Sequence, residues 1–311
     1  MNRILITGGA GFIGSNLARH LIEKGHEITI IDNLSTGSYS NIRNIAKDTN
    51  FRFVEGDVRD LNLVQDCVKG TDSVVHLAAV TSVPYSLDKP QETFDVNLNG
   101  TVNLLRCSLE NHVSKFIYGS SCAVYGDVLR LPIREDHSLQ ALSPYAASKI
   151  EAEQQCRAFS EKGLHTVSLR FFNVYGPGQE FSTNHGVISN FIEKMMRRQA
   201  PLIYGDGEQI RDFVHVNDIV EVLTKLIEDA NGDSTALNIG TGKATSINQL
   251  VMDLQELLDR EELTPLRQPP RPGDIRLSQA DIGRAKHLLS YLPHIDLPRG
   301  LEMLLANRNL A

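Results

Sequence analysis

The sequence lacks the features that mark membrane proteins and nucleic-acid-binding proteins. No apolar run approaches the roughly 18 residues that are needed to span a bilayer. Lysine and arginine never cluster into a run, and the 311-residue chain carries a formal net charge of −7. These absences exclude a transmembrane protein and argue against nucleic acid as the main partner. The composition is that of a soluble globular protein with one large α/β domain or two unequal ones.

Cysteine is scarce and scattered, which bears on metal binding and on the cellular compartment of the protein. The four cysteines are Cys67, Cys107, Cys122 and Cys156, and no two of them form a Cys-x-x-Cys pair. A structural zinc site needs ligands at short, regular spacings, so we predict no metal site. Met1 leads directly into an apolar strand and leaves no room for a signal peptide. We therefore expect a cytoplasmic protein with reduced, mostly buried thiols.

The stretch from Asn2 to Gly14 predicts a phosphate-binding strand, turn and helix. Its first part, Ile4–Ile6, is a short apolar run typical of a buried parallel strand, and helical periodicity begins at Phe12. The first turn of such a helix directs N–H groups and the positive end of the helix dipole at one point. Glycines let a pyrophosphate approach that backbone, and they recur here as Gly-x-x-Gly-x-x-Gly. The predicted contacts are Gly8, Gly11, Phe12, Ile13 and Gly14.

An acidic residue at the end of the second strand indicates which dinucleotide binds. The apolar run from Glu27 to Ile31 ends at Asp32, about 20 residues beyond the glycines. A carboxylate there can accept hydrogen bonds from both hydroxyls of an adenosine ribose, and it would repel a 2′-phosphate. We therefore predict NAD as the cofactor rather than NADP. The alternative is that Asp32 only caps the turn that follows it.

Residues at the ends of two later strands can contact other parts of a bound dinucleotide. Asp57 follows the third strand, where it can accept a hydrogen bond from an adenine amino group while Val58 packs on the ring. The fourth strand ends in Ala78 and Ala79, whose small side chains let the cofactor pass close over the sheet. The sequence therefore predicts that an extended dinucleotide lies across the strand ends.

Two polar residues in this region have supporting roles. His76 lies inside the fourth strand, and we interpret it as a packing residue rather than a catalyst. Asn97 lies on a helix predicted over 91–109, where its amide can fix the neighbouring loop at the active site.

Three residues further along the chain predict a catalytic unit. Tyr145 and Lys149 lie one turn apart on one face of a helix. An ammonium beside a phenol favours the phenolate, so we expect Lys149 to lower the pKa of Tyr145 and make it a usable base. Ser121, at the end of the fifth strand, can donate to the oxygen that Tyr145 deprotonates. Each signal is common when alone, because loop serines usually form turns and Tyr-x-x-x-Lys is frequent on exposed helices.

The alternation of strands and helices predicts the fold. Through residue 176 it describes a Rossmann-type, doubly wound parallel sheet of the α/β class. Residues 1–176 are expected to form the NAD-binding domain. Residues 177–311 are expected to form a smaller C-terminal α/β substrate-binding region, interleaved with the first domain.

These motifs together resemble the extended short-chain dehydrogenases/reductases. Within that superfamily the chain is similar to the NAD-dependent nucleotide-sugar epimerases, which act on UDP-glucose and UDP-N-acetylglucosamine at C4. The resemblance covers essentially the whole chain. Beside Tyr145 and Lys149 it rests on TGGAGFIG (7–14), DNLSTG (32–37), GDV (56–58), HLAA (76–79), SSCAVYG (120–126), RFFNVYGPGQ (170–179), IRDFVHVND (210–218) and RPGD (271–274).

The resemblance implies a reaction and further binding residues. Tyr145, assisted by Ser121, would remove the proton of the sugar 4-hydroxyl while C4 gives a hydride to NAD. The 4-keto sugar would then rotate and take the hydride back on its other face. The additional cofactor-binding residues that it implies are Asn33, Leu34, Ser35, Thr36, Gly37, Leu77, Asn97, Tyr145 and Phe172, and Lys149 would hold the nicotinamide ribose. The implied substrate-binding residues are Asn173, Val187, Arg211, Arg271, Asp274 and Ser278. Guanidinium groups suit a diphosphate and a carboxylate suits a ribose diol.

The resemblance also implies a homodimer. The paired helices would be 91–109 and 144–160 of each subunit. Apolar residues of the first helix, Phe94, Val102 and Leu105, could equally face the sheet, so the pattern itself leaves the dimer open.

Two departures from related enzymes narrow the expected reaction. Related 4,6-dehydratases carry an Asp-Glu pair after the active-site hydroxyl residue, whereas this chain has Cys122 and Ala123, so dehydration is not expected. Ser278 replaces the large tyrosine of enzymes confined to glucose and galactose, which would leave room for a 2-acetamido group. The alternatives are a uronate epimerase, a decarboxylase or a dTDP-sugar enzyme of the same fold, and a non-catalytic NAD-binding sensor. A C6 carboxylate calls for a basic residue, and the loop 80–86 has none.

Overall fold

Buried aliphatic residues near the N-terminus begin the central strand of a large sheet. The computed structural model describes residues 1–179, 186–229, 235–270 and 275–308. The strands are β1 (Arg3–Thr7), β2 (Glu27–Asp32), β3 (Phe51–Glu55), β4 (Ser73–His76), β5 (Lys115–Ser121), β6 (Thr166–Phe171), β7 (Asn173–Tyr175), β8 (Leu202–Tyr204), β9 (Ile210–Arg211), β10 (Phe213–His215), β11 (Thr235–Ile239), β12 (Thr245–Ser246) and β13 (Leu266–Gln268). The α-helices are α1 (Phe12–Glu23), α2 (Leu61–Val68), α3 (Val83–Asp88), α4 (Pro90–Phe94), α5 (Gly100–Glu110), α6 (Pro144–Ser160), α7 (Val187–Met196), α8 (Val216–Glu228), α9 (Ile247–Leu258), α10 (Gly283–Leu289) and α11 (Leu297–Arg308).

The large sheet confirms the predicted Rossmann-type α/β fold. Its seven strands are parallel and run in the order β3-β2-β1-β4-β5-β6-β11. The direction of strand order reverses between β1 and β4, and ligands bind at the carboxyl ends of the strands at such a point. The last strand, β11, comes from the part of the chain beyond residue 176 and pairs with β6.

Helices cover both faces of this sheet, as the apolar strands require. Ile4 and Ile6 point into a core shared with Leu17 of α1 and Leu223 of α8. Leu5, between them, points to the opposite face, into a core with helices α2, α5 and α6. Because alternate residues of one strand are buried on both faces, the central strands consist almost entirely of apolar residues. A third core, between α7, α9 and α11, supports the short strands of the C-terminal region.

One predicted helix is less regular than expected. The segment predicted as a helix over 91–109 consists of α4, a π-helical turn at Asp95–Asn99, and α5. Single π turns often occur at functional sites, and this one contains Asn97.

Three structural findings bear on the expected class of protein. No helix within the described ranges is long and apolar enough to cross a membrane. In that same part of the chain, no three His, Cys, Asp or Glu side chains are grouped so that they could hold a metal ion. All four cysteines are free, and three of them, all except Cys122, are buried.

Candidate active site

The glycine turn after β1 has the geometry of a phosphate cradle. Gly8 has a φ of +69°, and a Cβ atom there would lie 2.7 Å from the backbone nitrogen of Ala78. A Cβ atom at Gly14 would lie 2.4 Å from the carbonyl oxygen of Gly8, so only glycine fits both positions. Helix α1 begins at Phe12, and among the described residues no side chain caps its N-terminus. Its first-turn N–H groups and its positive dipole end therefore face the crevice between β1 and β4.

Asp32 joins the second strand to this turn. Its side-chain oxygens accept hydrogen bonds from the backbone nitrogens of Ala10 and Leu34, each at 2.9 Å. The carboxylate therefore does cap the following turn, and each oxygen keeps a lone pair for a ribose hydroxyl. A Cβ atom at Gly37 would lie 3.0 Å from both oxygens, so glycine keeps this face of the carboxylate open. Burial raises the pKa of Asp32, whereas the two backbone hydrogen bonds oppose that rise.

Asp57 is held in its ionised form at the end of β3. Its two oxygens accept from Arg59 Nε at 2.8 Å and from Arg59 Nη2 at 2.7 Å. The hydrogen bonds from Arg59 are the main cause of a pKa of about 2 for Asp57. Asn33 Nδ2 donates to the same carboxylate at 2.8 Å and so connects the ends of β2 and β3. An adenine amino group approaching this edge would meet a charged acceptor.

The other predicted cofactor residues also lie at the carboxyl edge of the sheet. They are Gly11, Phe12 and Ile13 at the start of α1, Leu34, Ser35, Thr36 and Gly37 after β2, Val58 after β3, and Leu77, Ala78 and Ala79 after β4. Phe172 lies between β6 and β7 and is buried. The structure therefore brings these residues to the edge at which the strand order reverses.

Ser121 and Tyr145 meet at the end of β5. The Ser121 side chain lies close enough to Tyr145 to lower the pKa of its phenol, and Ser121 Oγ accepts a hydrogen bond from the backbone nitrogen of Ala123 at 3.2 Å. Lys149, one turn along α6, donates from Nζ to the carbonyl oxygen of Gly119 at 2.7 Å. The predicted unit is thus assembled by one strand end and one helix face.

The expected effect of Lys149 on Tyr145 is wrong for this structure. Burial raises the pKa of Tyr145 to about 12, and the hydrogen bond with Ser121 opposes the rise. Lys149 Nζ lies 5.9 Å from the centre of the Tyr145 ring and is bonded to a carbonyl oxygen instead. Burial lowers the pKa of Lys149 itself to about 8, against Glu153, which raises it. Desolvation is therefore the largest influence on the pKa of both side chains.

Asn97 fixes the loop after β4, as predicted. Its amide oxygen and both of its amide protons are hydrogen-bonded within the protein. Its Oδ1 accepts from the backbone nitrogen of Val80 at 2.7 Å, and its Nδ2 donates to the carbonyl oxygen of Val80 at 3.0 Å. The second proton of Nδ2 goes to Ser148 Oγ at 3.0 Å. Asn97 thus acts by connecting this loop to α6.

A buried ion pair beneath the site was not predicted from the sequence. Arg170 Nη2 lies 2.7 Å from Glu153 Oε2, with side chains only 6% and 8% exposed. Ser120 Oγ donates to Glu153 Oε1 at 2.5 Å, and Arg170 Nη1 donates to the Tyr125 hydroxyl at 2.8 Å. The usable signal was Glu153 four residues after Lys149, which places both on one helix face.

A second missed residue, Asp212, organises the substrate side. Its fully buried carboxylate accepts four hydrogen bonds between 2.6 and 3.0 Å, from the nitrogen and hydroxyl of Thr241 and from the nitrogens of Gly242 and Ala280. Asp212 directly follows Arg211, so it holds β9 against the loop after β11 and the segment of Ser278. Burial raises its pKa, and these hydrogen bonds oppose the rise.

The predicted substrate residues divide into two groups. Asn173, Val187, Arg211 and Ser278 belong to the described part of the chain, whereas Arg271 and Asp274 lie outside it. Ser278 is buried, and its hydroxyl lies 3.7 Å from the thiol sulfur of Cys122, next to Ser121. Asn173 has a buried Oδ1 with no hydrogen-bond partner among the described residues.

A cavity adjoins the strand of Arg211. It has a volume of about 540 Å³, and its lining residues include Tyr204 of β8, Gln268 of β13 and Arg276. The backbone nitrogen of Ile210 donates to the carbonyl oxygen of Arg276 at 2.9 Å, so β9 is bonded to a residue that lines the cavity.

A glycine turn that opens a helix, a buried carboxylate at the end of the next strand and a Ser-Tyr-Lys group are together typical of nicotinamide-dependent enzymes of the short-chain dehydrogenase/reductase type. The chain belongs to the NAD dependent epimerase/dehydratase family, whose sequence profile matches residues 4–240. NAD is therefore its cofactor, as Asp32 predicted, and the glycine turn leaves the space that the pyrophosphate needs.

Individual relatives share nearly the full length of the chain. A putative UDP-glucose 4-epimerase of Methanocaldococcus jannaschii is 38% identical over 96% of both chains. The structure of UDP-glucose 4-epimerase from Thermotoga maritima, with UDP-glucose, has a TM-score of 0.93 at 35% identity and covers 99% of this chain and 100% of its own. UDP-N-acetylglucosamine 4-epimerase from Methanobrevibacter ruminantium M1, in complex with UDP-N-acetylmuramic acid, has a TM-score of 0.91 at 34% identity and covers 98% of this chain and 99% of its own.

Proposed function

We propose that this protein is an NAD-dependent UDP-sugar 4-epimerase. It interconverts UDP-glucose with UDP-galactose, and UDP-N-acetylglucosamine with UDP-N-acetylgalactosamine. The observation that carries the proposal is the placement of Ser121, at the carboxyl end of β5, beside Tyr145, with Cys122 and Ala123 rather than acids directly after Ser121. A hydroxyl base beside a hydride acceptor suits alcohol oxidation, and the missing acids remove the means of dehydration.

The side chains divide the reaction between them. Tyr145 takes the proton of the sugar 4-hydroxyl, and Ser121 donates a hydrogen bond to the same oxygen. Lys149 holds the cofactor ribose and is charged near neutral pH, since its pKa is about 8. NAD bound beside Lys149 would supply a reversible hydride acceptor for C4, and its positive nicotinamide charge would favour the Tyr145 phenolate. Return of the proton from Tyr145 then completes the inversion.

The substrate is held by the C-terminal half in this proposal. Residues 1–176 bind NAD, and residues 177–311 supply most of the nucleotide-sugar contacts. Arg211 binds the diphosphate together with Arg271, and Asp274 binds the uridine ribose. Asn173, whose amide oxygen has no partner among the described residues, faces the diphosphate from the other side, and Val187 borders the nucleotide. The cavity beside β9 is the space for the base.

An assay in heavy water tests the function. Purified protein is incubated with UDP-glucose, UDP-N-acetylglucosamine, UDP-glucuronic acid and dTDP-glucose, and the C4 epimers are resolved. Internal hydride return predicts epimerised UDP-sugars without deuterium at C4. Deuterium at C4 would contradict hydride return, and loss of carbon dioxide from UDP-glucuronic acid would identify a decarboxylase. Bound NAD without any sugar conversion would favour a sensor.

Ser278 is expected to decide whether N-acetylated sugars enter. Replacing it with tyrosine would fill the space beside Cys122, so we expect kcat/KM for UDP-N-acetylglucosamine to fall by at least about 100-fold. The value for UDP-glucose should change by less than about threefold, because glucose lacks the 2-acetamido group. Ser278→Ala is the matched control and should keep both activities. Undiminished turnover of the N-acetylated sugar by Ser278→Tyr would contradict this assignment.

A homodimer and a cytoplasmic location complete the proposal. Leu105 is fully buried against the sheet, whereas Phe94 and Val102 remain partly exposed on the helices proposed to pair. Sedimentation at micromolar concentration should give a dimer, and Val102→Glu should shift it towards the monomer. A wild-type monomer under these conditions would rule the dimer out. Four unpaired thiols support a reducing compartment.

A further inference from the structure

His76 is buried between two threonines and takes no part in the proposed reaction. It lies in β4 and is only 1% exposed. Its Nδ1 lies 2.6 Å from the hydroxyl of Thr7, and its Nε2 lies 2.9 Å from the hydroxyl of Thr101. Burial, with a smaller contribution from Lys149, lowers the pKa of His76 to about 3, so the ring is neutral at physiological pH.

The hydrogen bonds around the ring assign its tautomer. Thr101 Oγ1 lies 2.6 Å from the carbonyl oxygen of Asn97, which can only accept, so the single hydroxyl proton of Thr101 points there. Thr101 must then accept from His76, which places the ring proton on Nε2. A neutral ring has one N–H, so Nδ1 accepts from the hydroxyl of Thr7. Thr7 Oγ1 in turn accepts from the backbone nitrogen of Ala78 at 3.3 Å.

The hydrogen bonds of the two ring nitrogens of His76 lead to two different parts of the active site. On one side, Thr7 is the last residue of β1 and directly precedes Gly8 of the phosphate cradle. On the other side, Asn97 donates to Ser148 Oγ at 3.0 Å, and Ser148 Oγ donates to the carbonyl oxygen of Tyr145 at 2.8 Å. These hydrogen bonds, linked at Asn97 through the covalent bonds of that residue, therefore connect Thr7, the residue before the cofactor turn, to the helix that carries the base.

We propose that His76, as the neutral Nε2–H tautomer, is a positioning residue that fixes the catalytic helix relative to the cofactor turn. Only this tautomer satisfies both threonines at once. Hydride transfer requires the reacting atoms to be held about 3–3.5 Å apart, and a misplacement of about 1 Å can cost about 100-fold in rate. His76 acts through its neighbours and touches neither NAD nor sugar. The activity readouts below rest on the proposed epimerase function, whereas the tautomer and the NAD affinity do not.

Nitrogen NMR tests the tautomer directly. The protein contains ten histidines, so the His76 signals are identified by their loss in a His76→Gln variant. We expect the two-bond and three-bond couplings of an Nε2–H ring, unchanged between pH 5 and 9. An Nδ1–H ring, or a ring that becomes an imidazolium in this range, would overturn the assignment.

Two amide variants at position 76 separate the effect of the contact with Thr7 from that of the contact with Thr101. Asparagine at position 76 can accept from Thr7 in place of Nδ1 but cannot reach Thr101, so kcat should fall about 100-fold with NAD affinity within about threefold of wild type. Glutamine reaches further and can donate to Thr101, so His76→Gln should keep kcat within about tenfold and lose about tenfold in NAD affinity. KM for the sugar should stay within about twofold in both variants, because the sugar contacts are untouched.

A second buried histidine provides the matched control. His215 is fully buried in β10, and its Nε2 has no partner among the described residues. His215→Asn keeps the N-cap of α8 and should leave kcat and NAD affinity unchanged while lowering the melting temperature. If His76→Asn behaves like this control, His76 serves packing alone and the proposal is wrong. If wild-type protein epimerises nothing, the proposed function has failed, and the NMR and NAD-affinity results still decide the role of His76.

Discussion

Replacing Tyr145 with phenylalanine is expected to reduce kcat for 4-epimerisation by about 1,000-fold while NAD remains bound. Removal of a positioned general base typically costs 10²–10⁴-fold, and no other side chain described at the end of β5 can take over, since Cys122 has a raised pKa. Single-turnover reduction of bound NAD, followed by its absorbance, measures the step directly. A variant that keeps more than about a tenth of wild-type activity would show that another base acts.

The pH profile provides the companion measurement for Tyr145. A base works in its deprotonated form, so kcat/KM should rise with pH below the pKa of the phenol. Burial raises that pKa to about 12 in the protein without ligands, and the hydrogen bond with Ser121 lowers it. Ser121→Ala removes the lowering contact, so the rising limb should move to higher pH. A limb that stays in place, or moves to lower pH, would contradict the assigned hydrogen bond.

Replacing Arg170 with methionine is expected to lower the free energy of unfolding by about 3–5 kcal/mol. The change leaves the Glu153 carboxylate buried without its partner, and breaking one side of a buried pair costs that much. It also removes the donor to Tyr125. Denaturant unfolding with a check for constant m-value measures the loss.

Two control variants separate burial from charge in this prediction. Arg170→Met combined with Glu153→Leu should recover part of the lost stability, because an apolar pair of similar volume replaces two buried charges. Lys69→Met removes one partner of an exposed pair, with Lys69 60% and Asp66 70% exposed, and should leave the free energy of unfolding almost unchanged. Equal losses for Arg170→Met and Lys69→Met would refute the role of the buried pair.

Local spacing made the cofactor edge predictable from the sequence. The glycines of the first turn and Asp32 depend on one strand-turn-helix and on the strand beside it, and such short-range geometry is carried by residue type and separation. The doubly wound parallel sheet followed from the alternation of apolar runs and helical segments along the chain. Ser121 and Tyr145 came together because both lie at the carboxyl edge of that sheet.

What the sequence did not predict depends on burial and on distant partners. The sign of the Tyr145 pKa shift follows from desolvation, which a spacing of four residues does not encode. Arg170 pairs with Glu153 across a strand and a helix, and Asp212 bonds to loops that are 29 and 68 residues away. Each of these contacts requires the folded sheet before the partners meet.

The position of β11 limits how this protein could be divided or recombined. A chain that stopped at residue 176 would lose the strand beside β6, together with α8, which packs on the same face as α1. The backbone of β6 would become an unpaired edge, and the buried Val167 and Leu169 would be uncovered. The expected NAD-binding domain, residues 1–176, is therefore not a separable module. An exchange of sugar specificity between relatives would have to proceed through side chains such as Ser278, and not through transplantation of a whole half.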